Sequence, residues 1–300
     1  MRILVSYRGI PQSPGWATGD LVVKAFRNLG HHTDVYAKAY QRDEWWEGTS
    51  GLRPRHLENE YDLALYMECN DGDGQYYELK NVKAKKFACW FFDTSYYPDH
   101  ATGIANYFNF DHHFIANPLD VQRFFPHASF LPYACDPDRH QRPIDYPKTR
   151  DVVLVGSDRP DRRALVKTLK SHGVKLELVS GLFRDEYIDA LASAKIVINQ
   201  NPDQGRGLLN MRFWESQIAG TPIFTEKADL DFNYQAGLTD TTYYPYNNVE
   251  HLAEGCVKVL EDDTLRKVIA VAGQERMLRS HTYENRCKSI LKMMFPHETN

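Results

Sequence analysis

Along the 300-residue chain, short all-apolar runs alternate with segments whose apolar positions recur at helical spacing. ILVSY (3–7), HTDVYA (32–37), DLALYME (62–68), KFACWFFD (86–93), HHFIAN (112–117) and SFLPYA (129–134) predict strands, and GDLVVKAFRNLG (19–30) predicts a helix stopped by Gly30. CDPDRHQRPIDYPKTRD (135–151) is polar, proline-rich and without apolar periodicity, and reads as a linker. The rhythm then restarts. DVVLVGS (151–157), KLELVSG (175–181), KIVINQ (195–200) and PIFTE (222–226) predict strands. RRALVKTLKSHG (162–173), DEYIDALASA (185–194) and NMRFWESQIAG (210–220) predict helices, and everything from Asn248 onward reads as helical. Strands alternating with helices predict parallel sheets with helices on their faces. The pattern therefore predicts an α/β chain of two Rossmann-like domains, 1–142 and 143–300, with ligands beyond the C-terminal strand ends in the cleft the domains share.

Composition narrows the function classes. With 42% hydrophobic and 13% aromatic residues the chain can bury a sizeable core, and a net charge of -4 argues against one that coats nucleic acid non-specifically, while leaving room for a local basic face. Cys69, Cys89, Cys135, Cys256 and Cys287 are widely spaced without a CxxC pair, which argues against a disulfide framework or a zinc site; Cys89, in an apolar run, reads as buried packing. No segment is apolar over a bilayer's width, and the N-terminal run is too short for a signal peptide, so a cytoplasmic protein without a membrane span is expected.

Candidate chemistry gathers where strands end. YRGIPQSPGWATGD (7–20) lacks the GxGxxG spacing of a dinucleotide-binding turn; it reads either as an irregular loop or as a substrate-lining one, with Gly15 and Trp16 on the acceptor side. VGSDRPDRRALV (155–166) brings Gly156, Ser157, Arg159, Arg162 and Arg163 to a helix start, which suits either a phosphate or plain solvation. In NMRFWESQIAG, Arg212 and Glu215 stand three apart and can form an intrahelical ion pair. The alternative sets Arg212 and the free N–H groups of the helix start, with Asn210 and Met211, against a diphosphate, and Glu215 against ribose hydroxyls; that combination calls for a nucleotide. Asp93 ends a predicted strand, as a carboxylate at a reacting centre or as the opening of an Asx turn. Asp71-Gly72-Asp73 is first a turn, and no metal is expected. His31-His32 and His112-His113 diverge on strands and read as structural. KNVKAKK (80–86) reads as a solvated helix end or loop.

Taken in order, VGS…RR, KIVINQNP, NMRFWESQIAGTPIFTE and AGQERMLRSHTYENR (272–286) resemble the CgeB-like, spore-maturation-type glycosyltransferases, within the group-1 glycosyltransferases of GT-B fold. LGHHTDVYA (29–37), FDHHFIANP and FLPYACDP extend the resemblance into the first half. It implies two Rossmann-like domains whose parallel sheets face a central cleft, a nucleotide-sugar donor held mainly by the second domain, and final helices packing back toward the first. It matches Glu215 to the donor ribose, and Asn210 and Arg212 to the diphosphate or donor sugar. One departure stands out: the paired glutamates of many group-1 relatives would put a second carboxylate at position 207, which is Gly207 here.

The expectation is then a metal-independent glycosyltransferase without a cofactor, its partner a nucleotide-sugar donor. It moves a hexose, glucose first among them, from a UDP-sugar to an acceptor hydroxyl, with Asp93 as the catalytic carboxylate. The acceptor stays open among a saccharide, a protein, a small metabolite and a modified nucleic-acid base; Trp16, Trp45, Trp46, Tyr96 and Tyr97 offer surfaces that stack on a sugar or a base. The alternative is a degenerate GT-B module that holds a nucleotide sugar without turnover, which Gly207 favours.

Overall fold

The computed structural model describes residues 1–9, 15–39, 54–67, 78–95, 97–124, 126–200, 209–226 and 242–297. Asp71, Gly72, Asp73, Trp45, Trp46, Tyr96 and Gly207 lie outside them. The chain divides into two compact units, Met1–Pro132 with Tyr283–Asn300, and Tyr133–Thr282.

The first unit runs β1 (Arg2–Gly9), α1 (Thr18–Asn28), β2 (His32–Ala39), α2 (Pro54–Glu58), β3 (Glu60–Met67), β4 (Lys83–Phe91), α3 (Pro98–Phe108), β5 (His112–Ile115) and β6 (Ala128–Phe130). Its six strands are all parallel, in the order β2-β1-β3-β4-β5-β6. Parallel strands covered on both faces need apolar residues at successive positions, which is why Ile3, Leu4 and Val5 are all fully buried. α1 lays Leu21, Val22, Ala25 and Phe26 inward, and Gly30 follows it in the left-handed region at φ +83, which the helix stop needs.

Two elements of this unit differ from the pattern. The lysine run is not simply a solvated helix end or loop. After a 3-10 turn at Leu79–Asn81 its later residues open β4, with Lys85 held 2.7 Å from Asp62 and Lys86 3.5 Å from Asp111. The strand predicted over 129–134 ends at Phe130, and Pro132, with no N–H to donate, suits the end of a ladder.

The second unit runs α4 (Pro137–His140), β7 (Arg150–Val155), α5 (Pro160–Ser171), β8 (Leu176–Val179), α6 (Arg184–Ala192), β9 (Ala194–Asn199), α7 (Met211–Ile218), β10 (Ile223–Glu226), β11 (Tyr244–Tyr246), α8 (Val249–Glu261) and α9 (Asp263–Ser280). Its five parallel strands lie in the order β11-β10-β9-β7-β8, over a core that includes Leu154, Ile196, Ile198, Phe224 and Leu252. The stretch read as a linker is ordered against this unit. Asp136 caps α4 by accepting the Arg139 N–H at 3.0 Å, Pro137 takes the first turn, and His140 is buried. One helical turn is too short to leave a period in the sequence. Further along, Lys148 Nζ donates to the carbonyls of Ala192 (2.7 Å) and Gly220 (3.1 Å) and to the Thr221 hydroxyl (2.9 Å), while burial and the nearby Arg266 bring its pKa down to about 8.

The tail is helical as the pattern predicts. Asn248 caps α8, Asp262 caps α9, and α10 (Tyr283–Met294) packs on α1 in the first unit, where Asn28 donates to Glu284 at 2.9 Å. Among the described residues no helix is long and apolar enough to cross a membrane, and Cys89, Cys135, Cys256 and Cys287 are buried and in no disulfide.

Candidate functional site

In the second unit the strand order reverses at β7: β8 lies on one side and β9 on the other. The chain leaves these neighbouring strands in opposite directions, which opens a crevice at their C-terminal ends. β7 runs into Gly156, β9 ends at Asn199, and α5 and α7 follow them in the chain.

Gly156 has φ +154, a conformation side chains disfavour, and a Cβ built there would stand 2.6 Å from Arg162 Nη1 and 2.7 Å from Arg212 Nη2. The bare backbone thus lets two guanidinium groups close over one peptide. Arg162, buried, donates from Nη1 to the Ser157 carbonyl at 2.6 Å and hydroxyl at 3.2 Å. Arg212 Nη1 donates to Asn199 Oδ1 at 2.8 Å, and Asn199 Nδ2 in turn donates to Thr225 Oγ1 at 3.2 Å, which orients the amide. Asn210 caps α7 by accepting the Arg212 N–H at 3.1 Å. Arg212 Nε and the Oε1 of buried Gln200 have no partner among the described residues.

The electrostatics agree with the geometry. Burial pulls the Arg212 guanidinium below its ordinary range; neighbouring Tyr187 and Glu215 oppose that, and Arg159 adds repulsion. A guanidinium stays charged in proteins, so α7 carries a half-buried cation at its positive end, hydrogen-bonded by its side chain to a neutral amide. Such a place suits an anion with several oxygens.

Arg212 and Glu215 form no ion pair with each other, which corrects the intrahelical reading. α7 is buried all round from Phe213 to Ile218, so side chains three apart go to different neighbours. Glu215 Oε2 accepts the Tyr187 hydroxyl at 2.7 Å, and Oε1 lies 3.9 Å from His140 Nε2. His140 Nδ1 accepts the Asp136 N–H at 3.1 Å, which leaves the proton of the neutral ring on Nε2, on the side of Glu215. Burial, and then the Glu215 charge, push the Tyr187 phenol well above its ordinary pKa. A carboxylate has about four acceptor sites, so these two neighbours leave Glu215 able to accept more.

Glu215→Gln keeps an oxygen for Tyr187 and is expected to hold the melting temperature. Glu215→Ala leaves a buried hydroxyl unpaired, at a cost of about 1–3 kcal/mol, and is expected to lower it by several degrees. Thermal melts of the two variants side by side check this; equal melts would mean that the Tyr187 bond is not formed in solution.

The other candidates lie as follows. Arg159 is engaged by Asp161 through two bonds, 3.1 and 2.6 Å, close enough for its charge to bear on Arg212. Arg163 is exposed and pairs with Asp158 at 2.8 Å, away from Gly156. Ser157 is exposed and Met211 half-buried at the first turn of α7. In the first unit, Asp93 is half-buried two residues beyond β4, and its carbonyl accepts the Tyr97 amide at 3.0 Å. The next residues, Thr94 and Ser95, donate to buried Asp120 at 2.6 and 2.7 Å. Gly15, at φ +78, and Trp16 lead into α1. The histidine pair on β5 makes structural contacts: His112 Nε2 with Ser129 Oγ at 2.8 Å, His113 Nδ1 with the His127 carbonyl at 3.1 Å. Sequence reasoning missed Asn199, Gln200, Tyr187 and His140. For Asn199 and Gln200 a signal existed, two amides closing an otherwise apolar strand; Tyr187 and His140 left none.

A family model described as glycosyl transferase-like matches residues 142–292. No curated protein matches the sequence. Among solved structures, sucrose-phosphate synthase from Thermosynechococcus elongatus superposes with a TM-score of 0.66 at 12% identity over 98% of each chain. HepE from Anabaena, in complex with UDP and glucose, gives 0.61 at 11% identity over 98% of this chain and 99% of that one. A glycosyltransferase from Rickettsia africae gives 0.60 at 12% identity over 98% of each.

Proposed function

The chain belongs to the glycosyl transferase-like family, a glycosyltransferase of GT-B fold, and from that premise we propose that it moves glucose from UDP-glucose to an acceptor hydroxyl without requiring a metal. The observation that carries the donor site is the half-buried Arg212 cation at the start of α7, beside Arg162 and the bare Gly156 backbone. In the proposed reaction the bond between the sugar's anomeric carbon and the β-phosphate oxygen breaks, and negative charge grows on the departing diphosphate. Fixed guanidinium groups and a helix N-terminus aimed at that oxygen stabilise the charge as it forms. Arg212 and Arg162 face the diphosphate; Asn210 and Met211 border it at the start of α7, Ser157 follows Gly156, and Arg159 and Arg163 lend more distant positive charge. Glu215 accepts from the ribose hydroxyls. The UDP and glucose bound by HepE support that choice of base and sugar.

In the first unit, Asp93 takes the acceptor proton or orients the acceptor, with Gly15 and Trp16 beside it. The acceptor is a saccharide, protein, small metabolite or modified nucleic-acid base. The motif order supports a place in the CgeB-like branch, and buried cysteines outside any disulfide support a cytoplasmic setting. Gly207 keeps a second reading in view, a module that binds the donor without turnover.

Thermal melts with UDP-, GDP-, ADP- and TDP-sugars, with and without EDTA, test the proposal. The expected result is a shift by the UDP series alone, unchanged by EDTA, with slow UDP release from UDP-glucose. A shift without UDP release under any acceptor would favour the module. A shift by another nucleotide series, or one abolished by EDTA, would overturn the donor or the metal independence.

A further inference from the structure

Helix α9 presents an apolar stripe that its own unit does not cover. Val268, Val271 and Leu278 are 59%, 39% and 38% exposed, and with Thr264, Lys267 and Glu275 they recur at the spacing of a helix-pairing seam. The opposite face, with Ile269, Ala270 and Met277, is buried. Beside the N-terminal end of α9 lies an open groove of about 960 Å3. Its walls are mainly acidic, with Glu254, Glu261 and Asp263 beside Lys258 and His172, and its apolar lining comes from Ala253 and Val257.

We propose that α9 pairs antiparallel with α9 of a second copy of this chain, about a twofold axis through Val271. The charges along the exposed face are complementary in that register. Residues equally far from Val271 on either side meet, so Lys267 faces the other copy's Glu275, and Asp263, which also pairs with Arg266 at 2.6 Å in its own helix, faces its Arg279. Thr264, which lines the groove, meets Leu278, so each copy brings an exposed leucine to the mouth of an acidic groove with apolar lining. A twofold pairing makes every contact twice, so one helix supplies both halves of a self-complementary surface. Parallel pairing would set acidic end against acidic end and leave each leucine without a groove.

Light scattering after size exclusion, over a concentration series, tests the pairing. The expected result is a dimer that dissociates on dilution. Lys267→Glu and Glu275→Lys should each weaken it about tenfold or more, while the double swap restores it, because only the antiparallel register sets the two residues against each other. Val271→Cys should cross-link to a covalent dimer under mild oxidation, measured against wild type as control. A monomer at every concentration, or a dimer indifferent to both single reversals, would overturn the proposal. Donor binding read on the same samples keeps this outcome separate from that of the donor site.

Discussion

Arg212→Met is expected to lower kcat/KM for the donor by about 10²–10³-fold, the range seen when one donor to a developing oxyanion is removed, while the melting temperature of the free protein stays within a few degrees of wild type. The two halves of that expectation have one cause. In the free protein the Arg212 cation is half-buried and bonded to the Asn199 amide, and desolvation already works against its charge. Replacing it with an apolar side chain of similar length relieves the desolvation penalty, which offsets the donor that buried Asn199 Oδ1 loses, while Asn199 Nδ2 keeps its bond to Thr225. With a diphosphate bound, the balance reverses: the guanidinium meets a charge-assisted acceptor in a place of low dielectric, and methionine offers nothing. Arg212→Lys should recover only part of the loss, since a point charge cannot donate to Asn199 and the ligand in the fixed fork of a guanidinium. Donor kinetics and melts on the same preparations separate the readings. A structural arginine would show the opposite pattern, a lowered melting temperature with turnover within about threefold of wild type.

How far this site could be read in advance depends on whether its parts are local in sequence. Gly156 and the arginines of α5 stand together within a few residues, after an all-apolar strand, and strand-turn-helix reasoning reaches them directly. The start of α7 is equally visible, because turn-forming residues precede an amphipathic run. What Arg212 and Glu215 touch was not visible. Asn199 lies on the preceding strand, Tyr187 on a different helix, and His140 in a single turn within a stretch that looks like linker. Helical spacing places Arg212 and Glu215 on adjacent surfaces of one helix and so suggests that they pair. Burial of the whole helix overrides it, because each buried polar group takes its best partner from the surrounding elements. The same distinction runs through the fold. Long apolar strands and capped helices declare themselves, whereas α4, at one turn, has no period to read, and the lysines opening β4 disguise a strand whose first residues stand at the sheet's exposed margin.

Gly156→Ala is expected to weaken donor binding by about 10²-fold, the equivalent of one or two charge-assisted hydrogen bonds, and to lower the melting temperature by several degrees. The backbone contribution comes from φ +154, a region kept almost entirely for glycine, where a side chain costs on the order of 1–3 kcal/mol. The binding contribution comes from the added methyl, which would meet Arg162 Nη1 and Arg212 Nη2 at 2.6 and 2.7 Å. Both atoms are the far ends of flexible side chains, so they can swing away and the unit can still fold, but in swinging away they leave the position that a diphosphate needs. Gly173→Ala separates the two effects. It also sits at positive φ, +80, with nothing within 4 Å of the added carbon. It should therefore cost stability of the same order while leaving the donor Kd unchanged. Titration calorimetry with UDP on both variants decides the matter: a Kd that rises equally in the two would mean that Gly156 matters only to the backbone, and that the guanidinium pair above it does not hold the nucleotide.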